Sequence, residues 1–415
     1  MGASDQPDVL VIGAGMVGAA AACLFARAGL SVCVLQAKEP EPFDSSEPVG
    51  LRVSALSPGS VRILEAAGAW DAIAAERTGP YRRMRVEDRA RDPAIEFTAA
   101  EFGLERLGTI VENDLVQWAL WQNLKQLAAV ERVCPADVES LDLFGPRPAV
   151  TLADGRSIRP DLLVGADGAG SMVRRTLGIG LRHTDYGQRA LVSVVRTARP
   201  NPGLAWQRFL PGGPLAFLPL SDGASSIVWT RPSAEADRLL SLDDEAFGSE
   251  LEGVAGENAE GPFGSIESTG PRAAFPLSLQ LADRYTAGRC VLIGDAAHVV
   301  HPLAGQGVNL GFLDAAALVE TAVAARRAGG DPGHEGRLTS FGRQRLSESE
   351  VMARGIHGLH TLFGPEAFGP VRRWGLWGVA GSWALRDGFI RRAAGIHAGA
   401  PALARGISLQ DLVIG

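Results

Sequence analysis

The sequence has 415 residues, 46% of them hydrophobic and 21% charged, so the chain can bury a large core and is expected to form two domains or one elaborated domain. Its formal net charge of -7 argues against nucleic acid as a partner, because phosphates would be repelled. Residues 1–7 lack a secretory signal, and the apolar runs are shorter than the about 20 residues that cross a bilayer. We therefore expect a cytoplasmic protein without a transmembrane segment.

The first motif is glycine-rich and follows an apolar strand, Val9–Ile12. Gly13, Gly15 and Gly18 then open a helix that is predicted to run to about residue 28. In a dinucleotide fingerprint the first glycine permits a tight turn and the second lets a pyrophosphate approach the backbone. The third lets the helix pack closely on the sheet. The order of strand, glycines and helix therefore predicts a dinucleotide site.

The second strand, residues 31–36, ends at an unusual residue. The fingerprint expects Asp or Glu here to bind the adenosine ribose, and the sequence has Gln36. A neutral carboxamide accepts a hydroxyl hydrogen bond more weakly than a carboxylate does. We expect Gln36 to face the ribose and the dinucleotide to bind somewhat less tightly.

A second cofactor motif occupies residues 161–175, where a buried strand, Leu162–Val164, ends in a tight turn. Asp167 lies in that turn, and a short helix is predicted to follow it at residues 171–177. The carboxylate of Asp167 is placed either to reach the cofactor or to cap the helix. The sequence leaves both interpretations open.

Residues 181–275 differ in pattern from the preceding segment. They contain short runs of alternating apolar and polar residues between Pro- and Gly-containing turns, which is typical of an antiparallel sheet. Because cofactor motifs flank this interval, we predict a discontinuous nucleotide domain with a sheet that roofs the cofactor and the substrate. The predicted divisions are residues 1–180 and 280–355 for the nucleotide domain, 181–279 for the sheet, and 356–415 for a helical tail.

The third motif, residues 290–318, carries the clearest chemistry. A strand ends at Gly294-Asp295, and the Asp295 carboxylate is suited to accept hydrogen bonds from ribitol hydroxyls. A loop then precedes a helix that is expected to begin near Asn309, and helix N-termini favour negative charge such as that of reduced flavin. The loop residues predicted to line the cofactor are Pro302, Gly305, Gly307, Val308 and Asn309.

His298 and His301 flank this loop and are the candidates for proton transfer, although their apolar neighbours equally suit packed, hydrogen-bonded histidines. The sequence identifies no general base. His357 and His360 are one helical turn apart, but no third ligand is evident nearby, so we predict no metal site.

The C-terminal segment is unusual because residues 374–385 contain three tryptophans and no charge. Residues 366–405 contain six arginines and two acidic residues, a local excess of +4 (6 minus 2) in an acidic protein. This pattern is typical of a tail that contacts an anionic membrane or a partner, and also of a buried helix with solvated ends. We hypothesise that the tail brings the active site to the inner face of a membrane.

With these motifs in this order, the chain resembles class A FAD-dependent monooxygenases, and within them it is similar to the ubiquinone-biosynthesis hydroxylase family. The closer resemblance is carried by RVSALS at 52–57, GTIVEN at 108–113 and PLAGQGVNLG at 302–311. It implies an α/β fold with a Rossmann-like FAD-binding domain of the para-hydroxybenzoate hydroxylase type. It also implies that the three glycines hold the FAD pyrophosphate, Asp295 binds the ribitol, Gly307 to Asn309 face the flavin ring, and Arg52 and Asn113 lie beside the cofactor.

The reaction implied by the resemblance uses NADPH or NADH as a transient reductant and O2, with a flavin hydroperoxide that hydroxylates a polyprenylated phenol. Two alternatives stay open: a hydroxylase of a soluble phenolic metabolite, and a non-catalytic FAD-containing subunit of a biosynthetic complex. A flavin halogenase is disfavoured, since such enzymes are expected to carry a lysine near a Trp-rich motif and the only lysines are Lys38 and Lys125.

Overall fold

The structure is a computed structural model that describes residues 6–88, 94–256, 262–300, 307–363 and 382–414. Side chains at 356, 357, 359–363, 384 and 385 fall outside this description. The strands are β1 Val9–Ile12, β2 Val32–Leu35, β3 Val53–Leu56, β4 Gly79–Tyr81, β5 Arg83–Asp88, β6 Ile95–Thr98, β7 Gly108–Glu112, β8 Val130–Val133, β9 Val138–Asp142, β10 Ala149–Leu152, β11 Ser157–Ile158, β12 Leu162–Gly165, β13 Leu181–Thr197, β14 Leu204–Leu210, β15 Gly213–Pro219, β16 Ser225–Pro232, β17 Ile266–Ala282, β18 Thr286–Ala287, β19 Cys290–Leu292 and β20 His298–Val299.

The helices are α1 Met16–Arg27, α2 Pro58–Ala67, α3 Trp70–Ala74, α4 Asn113–Gln126, α5 Met172–Thr176, α6 Ser233–Ser241, α7 Asp244–Ala255, α8 Gly307–Arg327, α9 Glu335–Phe363, α10 Trp383–Ala393 and α11 Leu409–Ile414. Single turns of 3-10 helix lie at Ala99–Phe102 and Gly294–Ala296.

A six-stranded sheet in the order β18-β19-β12-β1-β2-β8 forms the first layer of the fold. The strands from β19 to β8 are parallel, and β1, β2 and β12 are buried along their whole length. Such uniformly apolar strands are typical of a parallel sheet with both faces covered. All three cofactor motifs of the sequence follow the carboxyl ends of strands in this sheet, where ligands bind in doubly wound folds.

An eight-stranded sheet in the order β20-β17-β13-β16-β15-β14-β5-β6 forms the second layer and is antiparallel except at β14–β5. One face packs on α6 and α7 through an aromatic-rich core that includes Trp206, Phe217, Trp229 and Phe247. The opposite face packs on β3 and β7, since Val194 and Leu218 join the cluster of Ala55 and Ile110. The predicted architecture, a parallel-sheet domain interrupted by an antiparallel sheet, is therefore confirmed.

Three details differ from the sequence prediction. Strands β5 and β6 belong to the eight-stranded sheet although they lie before residue 181, and β17 continues to Ala282. Helices α6 and α7 lie within the interval that was predicted to be mainly antiparallel sheet, and no helix was predicted there. Helix α9 runs without a break across the predicted boundary at residue 356, while the division into domains itself stays a prediction.

The described end of the chain packs into the nucleotide domain. Gly59 donates its main-chain N–H to Ala394 O at 2.8 Å, and Leu403 N donates to the Glu320 carboxylate at 3.0 Å. Leu403 and Ala404 are buried in the same core as α1 and α8. Residues 394–404 are therefore part of the core, whereas Trp374 and Trp377 fall outside the described residues.

Helix α8 is 21 residues long and apolar enough to pass a test for a membrane span, which corrects the expectation that all apolar stretches are shorter. Most of its apolar window is buried inside the protein, and it packs against α1, α2 and α9. We therefore interpret α8 as the core helix of the fold.

Candidate active site

The glycine turn after β1 has the geometry that a pyrophosphate requires. Gly13 has a φ of +96°, and a Cβ on it would lie 2.4 Å from Ala166 O. A Cβ on Gly18 would lie 1.9 Å from Gly13 O, whereas a Cβ on Gly15 would meet no atom within 4 Å. Gly13 and Gly18 thus serve close packing, and Gly15 faces open space at the N-terminus of α1, where backbone N–H groups favour an anion.

The side chain of Gln36 is held by main-chain groups on both sides of its amide. Its Oε1 accepts from Ala14 N at 2.7 Å, and its Nε2 donates to Lys38 O at 2.9 Å. Gln36 therefore braces the glycine turn itself. Its contact with a ribose stays a prediction.

Asp295 projects an exposed carboxylate from a tight turn in which Gly294 adopts a φ of +58°. Although the side chain is reached by solvent, the surrounding protein removes enough water to raise its pKa, against the opposing charges of His298 and Arg52. A carboxylate that is short of hydrogen-bond donors is suited to accept them from ligand hydroxyls. The structure brings Asp295 close to Arg52, and the contact of Asp295 with the ribitol stays a prediction.

Arg52 lies between Asp295 and the eight-stranded sheet. Its guanidinium carbon is 5.7 Å from the centroid of the Phe275 ring on β17. The main-chain oxygen of Arg52 accepts from Asn113 N at 2.9 Å. The residue that the resemblance places beside the cofactor is therefore at the junction of the two layers of the fold.

Asn113 and Asn309 brace β3, the strand that follows Arg52. Asn113 Oδ1 accepts from Ser54 Oγ at 2.6 Å. Asn309 is buried, accepts from Ser57 N at 2.9 Å and donates to Ala55 O at 2.8 Å. Helix α8 begins at Gly307, two residues before the predicted start. These side chains shape the wall of the site, and their contacts with FAD stay predictions, as does that of Val308.

Asp167 caps α5, which is the simpler of its two predicted roles. Its carboxylate accepts from Ser171 Oγ at 2.6 Å, from Met172 N at 2.6 Å and from Val173 N at 3.1 Å. The nearby Arg174 is buried and donates to Ala296 O at 2.8 Å, which ties this turn to the turn of Asp295. A direct contact of Asp167 with cofactor stays a prediction.

His298 is a buried, hydrogen-bonded histidine, with its Nε2 2.6 Å from Asp314 Oδ2. This geometry matches the interpretation of His298 as a packed, hydrogen-bonded histidine, and a role in proton transfer stays a prediction. His301, Pro302 and Gly305 fall outside the described residues.

Sequence reasoning missed a charge network behind this turn. Asp314 of α8 and Arg345 of α9 are both fully buried, and Arg345 Nε donates to Asp314 Oδ1 at 2.7 Å. Arg345 Nη1 also donates to Glu348 Oε2 at 2.5 Å. The available signal was a carboxylate within an otherwise apolar stretch of α8, since charged residues are seldom fully buried unless they are paired.

A second missed feature holds the segment before Arg52. Arg77 donates to both carboxylate oxygens of Glu112, at 2.7 and 3.1 Å, and to the main-chain oxygens of Ser45, Glu47 and Pro48. Glu112 Oε1 also accepts from the main-chain N–H of residue 50 at 2.7 Å. We name Arg77 and Glu112 the Arg77–Glu112 clamp, because they fix residues 45–50 against β7.

Among the described residues, no group of three or more His, Cys, Asp or Glu side chains is arranged to hold a metal ion. The side chains of His357 and His360 lie outside that description.

Comparisons with known proteins identify the family of the chain. Residues 6–352 match the family described as FAD binding domain. The chain is 38% identical to the ubiquinone hydroxylase UbiL of Rhodospirillum rubrum, over 98% of this chain and 95% of that protein. It is 35% identical to the 3-demethoxyubiquinol 3-hydroxylase of Escherichia coli, over 85% of this chain and 89% of that protein.

Among solved structures, PqsL of Pseudomonas aeruginosa, a probable FAD-dependent monooxygenase, superposes with a TM-score of 0.73 at 26% identity, covering 90% of this chain and all of that one (100%). The p-nitrophenol 4-monooxygenase PnpA of Pseudomonas putida superposes with a TM-score of 0.72 at 19% identity, covering 93% of this chain and 96% of that one. The second comparison bears on the fold alone.

Proposed function

Because the chain belongs to the ubiquinone-biosynthesis hydroxylase family of FAD-dependent monooxygenases, we propose that it hydroxylates the ring of a polyprenylated phenol, with NADPH or NADH and O2 as co-substrates. FAD, once reduced, supplies the activation of O2 that delivers an oxygen atom to an electron-rich ring. The observation that supports this proposal is that the turn of Asp295 packs through Gly294 on α1, while Asp295 itself lies near Arg52, which contacts Phe275 on the eight-stranded sheet.

The face of the sheet that is turned toward β3 suits an apolar aromatic substrate. Phe275 on this face contacts Arg52, and Leu218 on the same face packs against Ala55. One row across four neighbouring strands of this face consists of small apolar side chains that are buried or half-buried: Ala273, Val192, Val228 and Ala216. Such a surface excludes water and accommodates a ring that carries an apolar chain.

Gln207 continues this row as its polar member, opposite Ala216. The residue as a whole is 8% exposed, and its amide atoms are not among the buried polar atoms that lack a partner. An amide both donates and accepts hydrogen bonds, so it can bind an oxygen substituent on a ring. In our proposal Gln207 binds an oxygen substituent of the substrate ring, and the small apolar row packs against the ring itself.

The described residues carry out binding and orientation in this mechanism. The N-terminus of α1 and Gly15 would bind the pyrophosphate, and Asp295 would accept hydrogen bonds from the ribitol. Arg52 would supply a positive charge to the bound cofactor, while the sheet face would orient the ring and exclude water. Correct orientation alone can lower a reaction barrier by several kcal/mol.

Peripheral contact with the cytoplasmic face of a membrane is a further part of the proposal. Trp383 and Phe389 on α10 are 65% and 52% exposed, and Arg392 is exposed on the same helix. Aromatic side chains insert at lipid interfaces, and each basic residue near an anionic surface adds about 1 kcal/mol of attraction. This arrangement would bring the site to a membrane-held substrate.

Deletion of the chain from Phe368 onward is a poor test of this contact, because it also removes residues 394–404 from the core. The sharper variant is the double substitution Trp383→Ser with Phe389→Ser. Its control is Phe144→Ser, since Phe144 is 76% exposed and lies in the loop between β9 and β10. Co-sedimentation with anionic vesicles should fall for the double variant alone. Equal binding of all three proteins would contradict the membrane contact.

The hydroxylase proposal is tested in an anaerobic cuvette with the purified yellow protein. A prenylated phenol should accelerate the bleaching of the flavin band near about 450 nm by NADPH. Acceleration by small soluble phenols but not by the prenylated one would favour the soluble-metabolite alternative. A flavin that never bleaches would indicate the non-catalytic subunit.

A further inference from the structure

We propose that Asp314 is a positioning residue for FAD, which holds the turn of Asp295 from behind and needs Arg345 as its buried counterion. The inference rests on the FAD site that the proposed function uses. It concerns a carboxylate that does not touch the cofactor, and its test measures FAD binding, so it can fail or succeed independently of the substrate.

A single oxygen of Asp314 holds both sides of the turn. Oδ2 accepts from Gly294 N at 3.1 Å and contacts His298 Nε2 at 2.6 Å. These two residues bracket Asp295, whose own carboxylate is exposed. The position of the ligand-binding carboxylate is therefore set by the buried one.

Close packing reinforces the hydrogen bonds. A Cβ on Gly311, one turn before Asp314 on α8, would lie 3.3 Å from Gly294 Cα and 2.5 Å from a methyl carbon of Val17 on α1. The backbone of α8 thus rests against both the turn and the helix that binds the pyrophosphate. Because protein interiors are close-packed, a shift of Asp314 would also move the turn of Asp295.

The charge of Asp314 depends on its neighbours. Burial alone would raise the pKa of this carboxyl, but His298 and Arg345 together hold the pKa below its ordinary value. Arg345 is itself fully buried and also donates to Glu348 and, at 3.4 Å, to Leu310 O. Removal of one member of such a pair leaves an uncompensated charge, which is strongly destabilising.

Three variants separate positioning from stability. Asp314→Asn breaks the ion pair and should both lower the melting temperature of the apoprotein and weaken FAD binding. The double variant Asp314→Leu with Arg345→Met replaces the pair by apolar groups, a change that is often neutral for stability. It still leaves Gly294 N and His298 without their acceptor. His298→Leu keeps the ion pair and removes one contact on the turn.

The measurement is the Kd of FAD for apoprotein, by quenching of flavin fluorescence, beside the melting temperature of each apoprotein. We expect the double variant to melt close to the unsubstituted apoprotein but to bind FAD about 10- to 100-fold more weakly, the range for loss of groups that orient a binding side chain. His298→Leu should weaken FAD binding and should lower the melting temperature less than Asp314→Asn does, because Arg345 still pairs with Asp314.

Glu348→Gln is the matched control, because it alters the same network on the side of Arg345 away from Asp314. Its FAD Kd should stay within about threefold of that of the unsubstituted protein, well under the about 10- to 100-fold change expected for the double variant. Unchanged FAD affinity in His298→Leu, or recovery of both stability and FAD affinity in the double variant, would overturn the proposal.

Discussion

Replacement of Asp295 by asparagine should separate the contribution of this carboxylate to FAD binding from its contribution to the stability of the folded apoprotein. The substitution keeps the shape of the side chain and removes its charge. Hydrogen bonds to charged groups are worth about 1.5–3 kcal/mol. Loss of the charge should therefore raise the Kd of FAD by about 10- to 150-fold, at about 1.4 kcal/mol per tenfold change.

The expected effect on the stability of the apoprotein has the opposite sign. Folding raises the pKa of Asp295, mainly because the surrounding protein displaces water from near this exposed carboxyl, so the ionised form is disfavoured in the folded chain. The stability linked to this group is therefore present below the ordinary carboxyl pKa of about 4 and is lost as the pH rises through the higher folded pKa. At neutral pH the Asp295→Asn apoprotein should be at least as stable as the unsubstituted one.

Two assays test these expectations together: fluorescence titration with FAD, and thermal melting of the apoprotein at acidic and neutral pH. Asp71→Asn serves as the control, since Asp71 is an exposed acid on α3 outside the site. An unchanged FAD affinity of Asp295→Asn would refute the assignment of this carboxylate to the ribitol. A lower melting temperature of its apoprotein at neutral pH would refute the electrostatic reasoning.

Three further predictions concern the framework of the site. Gly15→Ala should weaken FAD binding but leave the melting temperature of the apoprotein unchanged, because its Cβ enters open space. Gly18→Ala should lower the free energy of unfolding of the apoprotein by about 1–3 kcal/mol, because its Cβ would lie 1.9 Å from a main-chain oxygen. Equal melting temperatures of the two variants would contradict this. Arg77→Met should lower the free energy of unfolding, measured in urea, by about 1–3 kcal/mol. Its control, Arg83→Met, breaks an exposed ion pair and should lower the free energy of unfolding by less than about 1 kcal/mol. Similar losses in the two variants would count against the Arg77–Glu112 clamp. Burial raises the pKa of Glu320 despite hydrogen bonds from two main-chain N–H groups. The stability that Glu320 contributes is therefore present at low pH and is lost as the pH rises through the folded pKa. Glu320→Gln should reduce this pH dependence of the melting temperature, and an unchanged dependence would refute the linkage.

The nucleotide-binding half of the fold was predictable because its requirements are local. The positive φ of Gly13 and the 1.9 Å approach at Gly18 force glycine at those positions, whatever the rest of the chain does. The same applies to Gly294, whose turn presents Asp295 to solvent. These positions therefore leave a readable pattern in the sequence.

Long-range pairings left no such pattern. Strand β5 pairs with β14, whose residues lie more than 100 positions further along the chain, so its membership of the large sheet is decided by tertiary packing. The ion pair of Asp314 and Arg345 joins two helices across 31 positions. Neither residue carries a local signal that names its partner.

The main-chain contacts of the amide side chains were not predicted, and their contacts with the cofactor stay predictions. Gln36 and Asn309 were both expected to contact the cofactor, yet main-chain groups satisfy a donor and an acceptor on each amide. An amide both donates and accepts, so it bridges backbone segments as readily as it binds a ligand. Residue type and spacing cannot separate the two uses.

The most direct test of the proposed hydroxylation is the origin of the oxygen atom in the product. The FAD-loaded protein is incubated with NADPH and a prenylated phenol under labelled O2, and the product is analysed by mass spectrometry. If the protein is a hydroxylase, we expect a product with one labelled oxygen atom on the aromatic ring, and we expect it only when both NADPH and the phenol are present. Consumption of NADPH that yields hydrogen peroxide and leaves the phenol unchanged would contradict it.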